Sequence, residues 1–106
     1  VFAGDTTLPG KITLKWKTES EQDNYGFDLY RSTSPTGPWT KITPSPVPGH
    51  GTTSDPHEYR FVDEGVFKFI QYYYQLEEID LSGNGKRLPY TIKGMDKKVP
   101  ETAPKP

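Results

Sequence analysis

VFKFIQYYYQLEEID, residues 66–80, holds three consecutive tyrosines, and apolar side chains recur in it at every second position: Val66, Ile70, Tyr72, Tyr74 and Leu76. Successive side chains of a strand point to opposite faces of a sheet, so a period of two describes a strand with one buried face. Two earlier segments repeat the pattern. In KITLKWKT, residues 11–18, Ile12, Leu14 and Trp16 alternate with Thr13, Lys15 and Lys17. In GFDLYRS, residues 26–32, Phe27 and Leu29 alternate with Asp28 and Tyr30. A Trp in an early strand, facing a Tyr that opens a late one, is the core plan of a small antiparallel two-sheet β-sandwich. The core expected from this phase is Trp16, Phe27, Leu29, Phe61, Tyr72, Tyr74 and Leu76.

The rest of the composition agrees with an all-β fold. A chain of 106 residues makes one domain with one packed core. Hydrophobic content is only 31%, but seven Tyr, five Phe and two Trp supply the buriable area. Ten Gly and eleven Pro mark many turns and disfavour helices. A net charge of −1 provides no general attraction to nucleic acid or anionic lipid. No run approaches the ~18 apolar residues of a membrane span. Without cysteine there is neither a disulfide nor a thiolate metal site. Val1-Phe2-Ala3-Gly4 resembles the end of a secretory signal, which points to an extracellular or cell-surface setting.

Turn residues divide the chain. Leu8-Pro9-Gly10 precedes the strand over 11–18, and the acidic stretch 19–24 reads as a loop before the strand over 26–32. Residues 34–38, SPTGP, form a tight turn into a short strand over 39–42. Residues 44–56, PSPVPGHGTTSDP, contain four prolines and two glycines and read as a long ordered loop. Strands are expected over 58–63, 69–80 and 87–93. The last two are joined by a hairpin turn at Ser82-Gly83-Asn84-Gly85, where Asn-Gly favours positive φ. Residues 1–94 thus make the sandwich, and residues 95–106, MDKKVPETAPKP, a Pro/Lys-rich linker or arm.

In this order the elements resemble a fibronectin type III domain, in the form common in bacterial secreted and surface proteins. The resemblance covers roughly residues 8–94. It rests on Trp16, on FDLYRS with Phe27, Leu29, Tyr30 and Arg31, on GPWTKI, on YRFVD, and on the alternation from Val66 to Leu76. The family usually has Leu, Pro, Thr and Tyr where Val66, Lys68, Ile70 and Tyr72 stand here, so Lys68 and Ile70 depart from its pattern. The resemblance makes Tyr72 the tyrosine-corner residue, its hydroxyl bonded to backbone a few residues upstream. It implies a binding or spacer module without catalytic residues.

The residues themselves offer little chemistry. His50 and His57 both lie in the proline-rich loop, with no nucleophile elbow and no cysteine nearby, so no catalytic residue and no enzyme activity is expected. Asp55 and Glu58 could join the histidines at a metal, but solvated loop histidines are commoner. Asp80-Leu81-Ser82-Gly83-Asn84-Gly85 resembles the start of a calcium loop, yet Thr91 stands where the bidentate acid belongs, and a hairpin turn explains the same residues. No cofactor and no metal is expected.

Aromatic residues are the better candidates. If Tyr72 and Tyr74 face the core, then Phe67, Phe69 and Tyr73 alternate onto the other face and form a partner-binding row. The competing reading is that local twist or a bulge near Lys68 turns one Phe inward. Tyr25, Tyr30 and Trp39 could form a sugar platform, or simply pack between strands. The function these features suggest is protein–protein contact by a non-catalytic β-sandwich, an interaction, adhesion or spacer module of a surface protein. The alternatives are a stand-alone subunit of a surface filament such as a pilus, and a carbohydrate-binding accessory domain of a secreted hydrolase. The expected partners are neighbouring domains or subunits, with carbohydrate possible.

Overall fold

The computed structural model describes residues 9–88 and 91–96. Eight strands follow one another: β1 (Pro9–Thr18), β2 (Glu21–Ser32), β3 (Thr40–Lys41), β4 (Val47–Thr53), β5 (His57–Phe67), β6 (Tyr72–Asp80), β7 (Gly85–Arg87) and β8 (Ile92–Gly94). No helix occurs among the described residues. β1 and β5 form a two-stranded antiparallel sheet. The other six strands form a second antiparallel sheet built on the β2–β6 pair, with β3 and β4 on the far side of β2, and β7 and β8 on the far side of β6.

Alternation places one face of each sheet in a shared core. Ile12, Leu14, Tyr59 and Val66 come from the small sheet; Phe27, Leu29, Tyr72, Tyr74 and Leu76 come from the large one. Ring contacts link the sheets. Phe27 lies 4.9 Å from Tyr59 and meets Trp16 edge-on at 5.6 Å, within the separation at which aromatic pairs attract. Of the expected core, Phe27, Leu29, Tyr72, Tyr74 and Leu76 are buried. Trp16 and Phe61 are a correction: both are only half-buried and pack against the core from its rim. Tyr59, two residues from Phe61 and so on the same face of β5, takes the place given to Phe61.

Four boundaries also differ from those read in the sequence. The run 66–80 is two strands, because β5 ends at Phe67 in one sheet and β6 begins at Tyr72 in the other. The acidic stretch is mostly strand: β2 starts at Glu21, and Glu21 and Asn24 are buried. The proline-rich segment contains β4, whose one proline, Pro48, fits because it is an edge strand paired only with β2. The closing strand is two short pieces, β7 and β8, both on β6. In the hairpin turn positive φ falls on Gly83, at +89°, rather than at Asn-Gly. Of the arm expected from residue 95, Met95 and Asp96 are described, and Asp96 accepts the Lys11 N–H at 2.8 Å; residues 97–106 and the signal-like residues 1–4 lie outside the described residues.

Candidate functional site

The turn between β5 and β6 carries two of the three expected partner-binding aromatics, and it must take the chain from one sheet to the other within four residues. Phe69 adopts φ of +67°, a conformation that non-glycine residues avoid, and its N–H is tied to the Asp96 carbonyl at 2.9 Å. Tyr72 anchors the turn from below: its hydroxyl accepts the Phe67 N–H at 3.0 Å, five residues upstream. Phe67 itself is left 45% exposed, while Phe69 is half-buried. Tyr73 sits half-buried on the outer face of the large sheet, paired with Ser32 and Lys93. The three side chains therefore do not form one row along a strand. Val66 is buried and Phe67 exposed, but the alternation breaks at Glu64 and Gly65, both exposed, where the pairing with β1 shifts register.

Beside this turn, two recesses of about 340 and 440 Å³ share Arg31, Thr40 and Gly65. Together they make a groove between β3, the short edge strand of the large sheet, and β5 of the small one. Phe67 and Pro38 line one end; Phe61 and Pro44 line the other. Arg31 at its centre crosses from β2 to β5, where its Nη1 donates to both carboxylate oxygens of buried Asp63 at 2.8 and 3.0 Å. Asp63 also accepts the Tyr74 hydroxyl at 2.8 Å and the Gly65 N–H at 3.1 Å, so its charge is paired and its oxygens are satisfied. Burial, then the bond to Asp63, pushes the Tyr74 hydroxyl's pKa well above its ordinary value. Gly65 packs closely here: a β-carbon would stand 3.0 Å from Arg31 Nη1.

The proposed sugar platform is not assembled as such. One face of the Tyr30 ring is covered by the Arg87 guanidinium at 3.5 Å, and its hydroxyl donates to Glu77 at 3.0 Å. Trp39 is half-buried in the loop before β3. Tyr25, at 55%, is the exposed member; it stands at a bulge where the register of β2 shifts against both β4 and β6. At the Asp80 turn the carboxylate is occupied by its own backbone: Oδ1 accepts the N–H groups of Ser82 and Asn84, each at 2.9 Å. The acidic stretch does meet this turn, through Leu81 N–H to the Asp23 carbonyl at 3.0 Å. Among the described residues no group of three or more His, Asp or Glu is placed to hold a metal.

A cluster that the sequence reading missed links the two sheets at Glu21. Its carboxylate is buried and accepts from the Tyr59 hydroxyl, from Thr18 Oγ1 at 2.7 Å and from the His50 N–H at 2.9 Å. Burial alone raises its pKa, but these three donors outweigh it and hold the carboxyl below its ordinary value. Burial, then Glu21, raises the Tyr59 hydroxyl's pKa. Tyr59 has a single proton and gives it to Glu21, so His50 Nδ1, 2.6 Å from the same oxygen, must carry a hydrogen. The His50 ring stacks on His57 at 3.6 Å. Both histidines are thus strand residues, on β4 and β5, joined to one structural network. Only β4's alternation within VPGHGTT hinted at this arrangement, and the prolines obscured it.

No family model matches the chain. No solved structure matches it. Over 91 residues, 85% of its length, the chain is 31% identical to a segment of an amylopullulanase of Thermoanaerobacter thermohydrosulfuricus. The chain spans about 6% of the length of that protein. It is a small all-β domain with partial similarity to one part of a much longer enzyme.

Proposed function

We propose that this chain is a non-catalytic accessory module of a secreted hydrolase of α-glucans, folded as a fibronectin type III-like sandwich. The observation that carries this reading is the similarity over 91 residues, which takes in most of this domain and a small part of the amylopullulanase. The shared core between the sheets, and the Tyr72 hydroxyl bonded to backbone upstream, support the sandwich assignment. Its carboxylates favour a structural role. Glycoside hydrolysis needs two carboxyl groups facing a substrate, whereas buried Glu21, Asp28 and Asp63 are each engaged by donors within the fold. In this reading its protein partners are neighbouring modules of the same secreted polypeptide.

An antibody raised against the domain tests this on the native secreted fraction. The expected result is a band far larger than 12.0 kDa that comigrates with amylopectin- or pullulan-clearing activity in a zymogram, while the isolated domain releases no reducing ends. A band near 12.0 kDa without activity would overturn the reading in favour of a stand-alone subunit such as that of a filament.

A further inference from the structure

The geometry points to the groove between β3 and β5 as a binding site for a neutral glycan chain, with a pyranose ring stacked on Phe67. This inference rests on the accessory-module reading for the identity of the glycan, an α-glucan, and on the groove alone for its place. A sugar ring presents C–H groups on its faces and hydroxyls around its edge, so it needs an aromatic face and a few convergent polar groups. The groove supplies both. Phe67 is 45% exposed at one end, although an isolated monomer gains nothing by showing that ring to water. At the centre Arg31 spends only Nη1 on Asp63, and its Nε and Nη2 hold no hydrogen bond to a described residue. A guanidinium fork fixed in this way suits two adjacent hydroxyls. Thr40 lines the same wall.

Charge decides the class of ligand. Asp63 already neutralises Arg31, so the site has donors without a net demand for an anion. Shape gives the second argument: two recesses of about 340 and 440 Å³ on either side of Arg31 continue one another, as consecutive sugar units require. The competing occupant is a peptide strand added to a sheet edge. It is disfavoured because β3 is two residues long and presents little backbone to pair with.

Titration of the isotope-labelled domain with maltotetraose tests the site. Amide shifts are expected at Arg31, Thr40, Gly65 and Phe67, and Phe67→Ala should weaken binding about ten-fold, whereas Phe67→Trp stays close to the parent. Unchanged melting of both variants shows that the ring acts on the ligand. Shifts confined to the outer face around Tyr73 and Gln75, no shifts at all, or equal binding by Phe67→Ala would each overturn the site. So would shifts of the groove amides by an extended peptide but not by maltotetraose. The antibody and zymogram result is independent of these outcomes: a large active band with no maltotetraose shift leaves the module reading intact and removes this site.

Discussion

Replacing Tyr59 by Phe removes one oxygen and should cost about 2 kcal/mol, because that hydroxyl serves two groups at once. It donates to the buried Glu21 carboxylate and accepts from His50 Nδ1. A hydrogen bond to a charged group contributes ~1.5–3 kcal/mol, and the carboxylate left behind stays desolvated with fewer donors. For a domain of this size each kcal/mol moves the melting temperature by roughly 4–8 °C, so a fall on the order of 10 °C is expected near neutral pH. The pH dependence gives a sharper test. The Glu21 carboxyl is held below its ordinary value in the fold. Its contribution is therefore fully present above its unfolded pKa of about 4.3, and is lost as pH falls through the lower folded value. Urea unfolding at about pH 7 and about pH 3 should then show the penalty of Tyr59→Phe shrinking at acid pH, as the pH falls toward the lowered folded value of the parent. A penalty under ~0.5 kcal/mol at neutral pH, or one equal at both pH values, would refute the argument that this bond is charge-assisted.

Tyr72→Phe should destabilise by about 1 kcal/mol in chemical denaturation, since it leaves the Phe67 N–H without its acceptor. Tyr73→Phe should cost less than half of that, because the Tyr73 hydroxyl makes no hydrogen bond to a described residue; equal costs would contradict the placement of the two rings. Trp16→Ala should cost roughly 3 kcal/mol, the low end for an aromatic truncation, as the ring is half-buried yet stacks on Tyr59 at 5.6 Å and meets Phe27 edge-on. Adding calcium or zinc to chelator-treated protein should leave the melting temperature unchanged, and a rise of several degrees would reveal a site bound only in the folded state.

Strand identity and phase in KITLKWKT, GFDLYRS and YYYQLEEID were legible because alternation is a local property of adjacent side chains. That reading placed Phe27, Leu29, Tyr72, Tyr74 and Leu76 inside, and they are. It did not separate Phe61 from Tyr59, because both have the same parity in β5, and only the pairing of Tyr59 with Trp16 across the small sheet shows which ring the core takes. It missed β4 because an edge strand set in a proline-rich segment looks like a loop until β2 is seen beside it. The candidate site was harder still. Exposure of Phe67 followed from alternation with Val66, but the groove beside it needs Arg31 and Asp63, 32 residues apart, on strands of different sheets. Glu21 and Tyr59, 38 residues apart, pose the same problem, since an acidic stretch reads as solvated until a distant hydroxyl and two further donors compensate its burial. Local alternation thus determined what each strand turns inward. Which polar groups that burial brings together depends on sheet pairing and the crossing between sheets, and only the tertiary structure decided it.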